Sequence, residues 1–246
     1  MSDYICGRRP VMEYLKAGKE PDKVYIQRGE RKGSIHEILY LAKESGAVIV
    51  ELDKEKLDRM SEGRNHQGVV ILATDFAYAD LDAVLAETQA AGRAPFLIIL
   101  EEISDPHNLG AIIRTAECCG VDAVIIPKRR SAMVNETVQR TSSGATAYQK
   151  ICRVTNINQT IDQLKKANIW VYGAAGEASQ SFWATDFSGP CCLVIGNEGA
   201  GLSRLTREKC DVLVSIPMLG KIDSLNASAS AAVLMYEVLR GRMAQS

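Results

Sequence analysis

The sequence predicts an α/β fold in which a small α/β unit precedes a larger domain built on a parallel sheet. Helical and strand patterns alternate along the chain of 246 residues, and the strands of the second half are apolar from end to end. Fully apolar strands are typical of a parallel sheet that helices cover on both faces. With 46% hydrophobic residues, the chain is long enough to bury one large core or two smaller ones.

The leading unit is predicted over residues 1–74. Ser34 and Asp53 are polar residues of the kind that begin helices, and Gly18 and Gly46 can end them. Helical or alternating spacing of apolar residues supplies the remaining boundaries. The predicted elements are a helix over 9–16, a strand over 23–27, a helix over 34–46, a strand over 47–52, a short helix over 53–63 and a strand over 68–72.

A linker is predicted over 75–95, and the larger domain over 96–246. The linker contains a helix that Asp80 can cap and that the AGRAP segment at 91–95 ends. The predicted strands of the larger domain span 96–100, 123–126, 169–172, 191–195 and 212–216. The helices between these strands are predicted to begin near Asn108, Asn135, Asn156, Ser203 and Asn226.

The charge pattern offers no global attraction for nucleic acid, because the formal net charge is −1 at pH 7. Three local basic groups are candidates for an RNA surface, although a solvated charged face is the stronger interpretation of any one of them. They are Arg8 with Arg9, Arg28 with Arg31 and Lys32, and Lys128 with Arg129 and Arg130.

The seven cysteines and three histidines predict neither a disulfide framework nor a metal site. The cysteine count is odd, no C-x-x-C pair occurs, and most cysteines lie in apolar segments, where the thiol behaves as a small hydrophobe. His36, His66 and His107 show no ligand spacing. The polar N-terminus lacks a signal-peptide pattern and no apolar run has membrane-spanning length, so a cytoplasmic protein without a membrane partner is predicted.

Three polar turns follow predicted strands, and together they are interpreted as one site. Open α/β sheets bind ligands at the carboxyl ends of their parallel strands, which is where such turns lie. The turns are DPHNLG at 105–110 followed by Arg114, GNEGAGL at 196–202, and IPMLG at 216–220 followed by Ser224, Leu225 and Asn226.

A dinucleotide site of the Rossmann type is the obvious alternative, and the glycine pattern argues against it. That fingerprint, GxGxxG, lies between the first strand and the first helix of its domain. The GNEGAG segment at 196–201 has a different spacing and lies late in the domain. The sequence contains no Walker-type phosphate loop either.

In this order the three turns resemble the signature motifs of the SpoU (TrmH) family of RNA ribose 2′-O-methyltransferases, within the SPOUT superfamily. The resemblance covers about residues 96–240 and is closest to members that methylate a guanosine of 23S ribosomal RNA. The leading unit resembles, more loosely, the L30e-like RNA-binding domain of many members, through Gly7, Val11, Leu15 and residues 65–69. The matching motif segments are 105–116, 196–202 and 216–228, and 134–138 and 143–145 are also similar.

The resemblance implies properties that local patterns do not show. Family members have a deep trefoil knot in the catalytic domain, form homodimers and bind S-adenosylmethionine in a bent conformation against the knotted loops. By this resemblance Gly196, Ile216 and Leu225 are expected to contact the cofactor, mostly through backbone groups. A glycine suits such a position because it lets the backbone approach a ligand closely.

The same resemblance assigns the catalytic role to Arg114. A guanidinium has a pKa above about 12 and is costly to deprotonate, so we interpret Arg114 as binding the adjacent phosphate and stabilising the developing alkoxide. The phosphate is then the proton acceptor. Glu198 is expected to pair with and orient Arg114. Asn108 and Asn226 are expected to position the ribose or the arginine, and Ser224 to hold the nucleotide or the loop.

Each of these residues also has a plain structural interpretation. Asn108 and Asn226 each precede a predicted helix and suit the N-cap position. Glu198 suits a turn between glycines. Only the joint match of the three motifs favours the functional interpretation over these structural ones.

The sequence thus predicts a homodimeric, S-adenosylmethionine-dependent RNA 2′-O-methyltransferase that acts on a guanosine of large-subunit (23S) ribosomal RNA. A transfer-RNA ribose methyltransferase with the same site is one alternative. A non-catalytic RNA-binding or ribosome-assembly factor on the same fold is another. A nucleotide-binding oxidoreductase is disfavoured by the missing Rossmann fingerprint.

Overall fold

The computed structural model describes residues 4–19, 21–30, 33–73 and 76–244. Two compact units divide the chain, Met1–Phe76 and Ala77–Ser246. The predicted architecture, a small α/β unit followed by an α/β domain with a parallel sheet, is confirmed. The trefoil knot stays a prediction from the resemblance.

The first unit alternates strands and helices around a mixed sheet. Its described elements are β1 (Tyr4–Cys6), α1 (Arg8–Lys16), β2 (Lys23–Gln27), α2 (Ile35–Glu44), β3 (Val48–Leu52), α3 (Lys54–Ser61) and β4 (Val69–Leu72). The strand order is β1-β4-β2-β3, with β2 parallel to β3 and β4 antiparallel to both β1 and β2. Apolar residues of α1, α2, β2 and β4 form the core of this unit.

Local sequence explains where these elements begin and end. Gly18 and Gly46 follow α1 and α2 with φ of 72° and 69°, a left-handed conformation that glycine adopts without steric penalty. Ser34 and Asp53 lie at the predicted N-cap positions, but neither side chain accepts a capping hydrogen bond. The Asp53 carboxylate instead pairs with Arg28 at 3.1 Å. Strand β1 was not predicted because three residues are too few to show an alternating pattern.

The second unit is built on a parallel sheet. Its described elements are α4 (Leu81–Ala90), β5 (Phe96–Leu100), α5 (Pro106–Cys118), β6 (Ala123–Pro127), α6 (Glu136–Thr141), β7 (Ile151–Val154), α7 (Ile157–Lys166), β8 (Trp170–Ala174), β9 (Gln180–Ser181), β10 (Cys191–Ile195), α8 (Arg204–Lys209), β11 (Val212–Ser215) and α9 (Ala227–Met243). The strand order is β7-β6-β5-β10-β8-β11-β9, and every pairing is parallel.

Helix α5 begins earlier than predicted, and this changes the position of Asn108. Asp105 caps the helix, because its Oδ1 accepts a hydrogen bond from the His107 amide at 2.9 Å. Pro106 then takes the first helical position, where its missing N–H costs nothing. Asn108 is therefore a buried residue inside the first turn, and the interpretation of Asn108 as an N-cap is wrong.

The segment predicted as a linker differs in the structure, because α4 belongs to the second unit. Asp80 caps α4 as predicted, with its Oδ1 accepting from the Ala83 amide at 2.9 Å. Leu81 and Val84 on the next turn are buried in the core of the larger unit. Thr74 and Asp75, where the predicted unit boundary falls, lie outside the described residues.

Four of the seven cysteines are buried and pack as small hydrophobes, as predicted for most of them. All seven are free thiols. Burial raises the pKa of Cys119, Cys152 and Cys191 to about 11, and that of Cys210 to about 12. These thiols therefore remain protonated near neutral pH and are poor nucleophiles. Of the helices in the described part of the chain, none combines the length and apolar character needed to cross a bilayer.

Candidate active site

The three motif turns meet at the carboxyl edge of the parallel sheet. Strands β5, β10, β8 and β11 are neighbours in that order, and the motif turns follow β5, β10 and β11. A cleft opens at the ends of β8, β10 and β11. The residues predicted to contact the cofactor, Gly196, Ile216 and Leu225, all line this cleft, and so do Glu198 and Ser224.

The cleft is lined by both apolar and polar groups. Apolar side chains, among them Val214 and Met218, form part of it, while Asp223 and the backbone of the glycine-rich turn supply polar groups. Small-molecule sites are commonly built in this way, with an apolar surface and a few placed polar groups. The arrangement suits a small ligand that has both apolar and polar groups.

The turn over 196–202 is tightly closed on itself. Asn197 and Gly201 exchange two backbone hydrogen bonds, of 3.1 and 2.8 Å. The Asn197 side chain accepts from the Gly199 amide at 2.9 Å and donates to the Glu102 carbonyl at 3.1 Å. A Cβ at Gly196 would lie 2.3 Å from the carbonyl carbon of Gly201. Residue 196 must therefore be glycine for the turn to close.

The Glu198 carboxylate joins the three motifs. Its Oε1 accepts hydrogen bonds from Asn108 Nδ2 at 2.7 Å, from Asn226 Nδ2, and from the Ala227 amide at 3.3 Å. Asn226 Nδ2 also donates to Asn108 Oδ1 at 3.0 Å. One oxygen thus holds donors from the first and third motifs beside the cleft, although the residues are far apart in sequence.

Asn226 is the N-cap residue that the sequence predicted, and its side chain also contacts the other two motifs. Its Oδ1 accepts from the amides of Ser228 and Ala229 at 2.9 and 3.4 Å, so it caps α9. Its Nδ2 points the other way, to Glu198 and Asn108. The orientation of the side-chain amide is therefore determined at both ends, and the structural and functional interpretations are compatible.

Arg114 lies on the exposed face of α5, and its contacts differ from those expected. Its Nη1 donates to Ser143 Oγ at 3.1 Å, and this is its one hydrogen bond within the described part of the chain. The expected pairing of Glu198 with Arg114 is not observed, and amide donors are instead the partners of the Glu198 carboxylate. The segment Ser143-Gly144-Ala145 resembles family sequence, but no role was predicted for Ser143.

Ser224 lies in an exposed segment between β11 and α9. Its hydroxyl donates to Asp223 Oδ1 at 3.3 Å. His107 is also exposed, on the first turn of α5, with its Nδ1 at 3.5 Å from the Thr141 hydroxyl. Over the residues that the structure describes, no group of three or more His, Cys, Asp or Glu side chains is placed to hold a metal ion.

One arginine of each basic group considered for an RNA surface pairs with a carboxylate. Arg8 pairs with Glu30 at 3.3 Å, and Arg130 pairs with Glu102 at 3.2 Å. Arg28 likewise pairs with Asp53. These pairs favour the interpretation as charged, solvated faces. The two remaining members of the second group, Arg31 and Lys32, lie outside the described residues.

Two families of known sequence match this chain. Residues 95–236 match the SpoU rRNA methylase family. Residues 4–79 match the family described as RNA 2′-O ribose methyltransferase substrate binding. The first match spans the larger part of the second unit, including all three motif turns, and the second spans the leading unit.

Relatives and solved structures agree with the family matches. The chain is 42% identical over 240 residues to YacO of Bacillus subtilis, which bears the provisional name of a TrmH family tRNA/rRNA methyltransferase, and the match covers 98% of this chain and 96% of YacO. The SpoU methyltransferase AviRb from Streptomyces viridochromogenes, solved in complex with S-adenosylmethionine, aligns with a TM-score of 0.62 and 26% identity over 98% of this chain and 90% of AviRb.

A tRNA-modifying structure aligns over a smaller part of the chain. The TrmH/SpoU tRNA modifying enzyme of A. aeolicus aligns with a TM-score of 0.58 and 24% identity. The alignment covers 66% of this chain and 86% of that enzyme. At this identity the likeness shows the fold alone. The family predicted from the three motifs is confirmed: this chain belongs to the SpoU family of RNA methyltransferases, which use S-adenosylmethionine.

Proposed function

We propose that this protein methylates a ribose 2′-hydroxyl of RNA, at a guanosine of large-subunit ribosomal RNA. The observation that supports the site is the Glu198 carboxylate, which holds Asn108 and Asn226 together at the edge of the cleft. This arrangement joins all three motif turns next to the helix that carries Arg114. A factor without catalytic activity would not need such a network of amide donors around one carboxylate.

The cleft fits the cofactor that the family uses. Gly196, Ile216 and Leu225 would hold S-adenosylmethionine in a cleft that offers both apolar side chains and the polar groups near Asp223. When bound, the cofactor supplies an electrophilic methyl group on a positively charged sulfur. The protein contributes the binding surface and the orientation of the nucleotide that accepts the methyl group.

Arg114 is suited to binding and stabilising negative charge. Its guanidinium is exposed, and within the described residues it hydrogen bonds to a neutral hydroxyl rather than to a carboxylate. Its charge therefore remains available for an RNA phosphate, for which its planar donors are well shaped. We propose that Arg114 binds the phosphate next to the target ribose and stabilises the oxyanion as the 2′-hydroxyl loses its proton to that phosphate.

The leading unit supports ribosomal RNA over transfer RNA as the substrate. It matches a substrate-binding family over residues 4–79. An added RNA-binding unit is useful where the target nucleotide lies within a large folded RNA, which is recognised mostly by shape.

Transfer of a labelled methyl group tests both the chemistry and the substrate. Purified protein is incubated with S-adenosylmethionine labelled on the methyl group and, separately, with ribosomal RNA and transfer RNA. We expect label in 23S ribosomal RNA, at a nuclease-resistant dinucleotide containing a 2′-O-methylguanosine. Label in transfer RNA alone would support the other substrate, and label in neither, with intact cofactor binding, would support a non-catalytic factor.

Removal of the Glu198 carboxylate is expected to loosen the site. In Glu198→Ala, the buried Asn108 amide and the Ala227 N–H lose their acceptor. Such unpaired donors cost about 1–3 kcal/mol, so both the melting temperature and the affinity for S-adenosylmethionine should fall. Glu198→Gln is the matched control, because its carbonyl oxygen can still accept. Calorimetry gives the affinity for S-adenosylmethionine, and thermal melting gives the melting temperature. If both quantities fall equally in the two variants, the hydrogen-bond network has no role in the site.

A further inference from the structure

The exposed turn that follows α6 contacts the guanidinium of Arg114. Ser143 Oγ accepts a hydrogen bond from Arg114 Nη1 at 3.1 Å. We infer that Ser143 is a positioning residue, which holds the Arg114 guanidinium in the orientation required for the ribose and its phosphate. This inference rests on the proposed function and adds to it a residue outside the three motif turns.

The backbone at Ser143 gives no reason for a serine. Ser143 has a φ of 53° and Gly144 a φ of 86°, so two successive residues adopt the left-handed conformation. Residues with a Cβ are disfavoured there, and glycine is preferred on steric grounds. A serine is present nevertheless, and its hydroxyl contacts the predicted catalytic arginine. The conformation is costly for the chain, and strain of this kind is common near functional sites.

Close packing between two helices holds the turn against α5. A Cβ at Gly110 would lie 2.7 Å from Thr141 Cβ and 3.0 Å from the Val138 carbonyl oxygen, so α6 approaches the backbone of α5 directly. Ser142 is buried between them, and its amide donates to the Val138 carbonyl at 2.8 Å. Ser143 therefore has little freedom to move relative to Arg114, which is one turn further along α5 than Gly110.

A hydroxyl is a suitable partner for an arginine that must bind RNA. A carboxylate would neutralise the guanidinium and compete with phosphate, whereas a neutral oxygen orients it without cancelling its charge. A serine hydroxyl that accepts from Arg114 also keeps its own hydrogen as a donor. That hydrogen is available to a phosphate oxygen bound by the same arginine. Ser143 thus orients Arg114 and leaves its charge free.

The variant Ser143→Gly separates positioning from stability. It removes the hydroxyl but relieves the backbone strain, so the protein should melt no lower than wild type. We expect kcat to fall by about tenfold, as for the loss of one hydrogen bond, with the KM for S-adenosylmethionine unchanged. Ser143→Ala, which keeps the Cβ, should show the same loss of kcat. Ser143→Asn tolerates the left-handed conformation, restores an acceptor and should recover part of the activity.

Asn168→Gly is the matched control for the change in backbone freedom. Asn168 also has a left-handed φ, of 58°. It lies between α7 and β8, at the amino end of its strand, whereas the motif turns follow the carboxyl ends of their strands. Its replacement by glycine should leave kcat unchanged. A Ser143→Gly variant as active as wild type would overturn the inference.

A double-mutant cycle with Arg114→Lys shows whether Ser143 acts through Arg114. Single-turnover methyl transfer is measured for wild type, Ser143→Gly, Arg114→Lys and the double variant. If Ser143 orients the guanidinium, Ser143→Gly should have little further effect once Arg114 is lysine. If Ser143→Gly lowers the rate of methyl transfer by the same factor in wild type and in Arg114→Lys, the inference is overturned. A wild-type protein that transfers no methyl group to any RNA would instead disprove the proposed function, so the two failures are distinguishable.

Discussion

Arg114→Ala should reduce the rate of methyl transfer by about three orders of magnitude, as expected when a charged group that stabilises an oxyanion is removed from an active site. The affinity for S-adenosylmethionine should change little, because Arg114 does not line the cleft. Stability should also be nearly unchanged, since the side chain is exposed and its hydrogen bond goes to another exposed residue.

Each of these three expectations has its own measurement. Single-turnover kinetics give the rate of transfer, calorimetry gives the cofactor affinity, and thermal melting reports on folding. Arg114→Lys keeps a positive charge but loses the planar pair of donors, so it should retain an intermediate rate. Arg204→Ala, which removes an exposed arginine on α8 that is paired with Glu208 at 3.4 Å, is the control for a general loss of charge. Arg114→Ala with near-normal activity would remove Arg114 from the mechanism.

Gly196→Ala should weaken the binding of S-adenosylmethionine by tenfold or more. The added Cβ would lie 2.3, 2.4 and 2.5 Å from backbone atoms of Gly201 and Leu202, and backbone atoms cannot rotate away as a side chain can. The turn must open to relieve this overlap, which costs about 1–3 kcal/mol for overpacking of this kind. The two hydrogen bonds between Asn197 and Gly201 are then strained or lost, and the wall of the cleft moves.

Gly199→Ala is a close control for this prediction, because it adds the same methyl group to the same turn. The nearest atom to a Cβ at Gly199 is Asn197 Oδ1 at 3.6 Å, an ordinary contact. We expect Gly199→Ala to bind S-adenosylmethionine with an affinity near that of wild type, while Gly196→Ala loses tenfold or more, about 1.4 kcal/mol. Equal affinities for the two variants in calorimetry would show that the cleft does not depend on the closed turn.

Local sequence was sufficient to predict most of the parallel sheet. The limits of β5 and β10 were predicted to the residue, because each is an unbroken apolar run between a proline and a polar or glycine residue. Strand β7 was not predicted. It is a short edge strand whose apolar pattern Arg153 interrupts. The guanidinium of Arg153 lies 4.8 Å from the centre of the Tyr78 ring, a contact between distant parts of the chain that no local pattern reveals.

The site was predicted residue by residue, but the partners of those residues were not. The motifs placed Glu198 near Arg114, whereas the structure pairs Glu198 with Asn108 and Asn226. The choice between these partners depends on how α5 is oriented against two turns that follow other strands. Sequence spacing within a motif carries no information about this orientation. The role of Ser143 was missed for the same reason, because it depends on the approach of α6 to Gly110.

The Glu198 network also has a consequence for protein synthesis. Its two side-chain amide donors, Asn108 and Asn226, are 118 residues apart, and the later one precedes only the final helix, α9. Because domains fold from the N-terminus as the ribosome extends the chain, the leading unit can form long before Asn226 is made. A nascent chain cut short before α9 would therefore keep the leading unit and lack a complete transfer site.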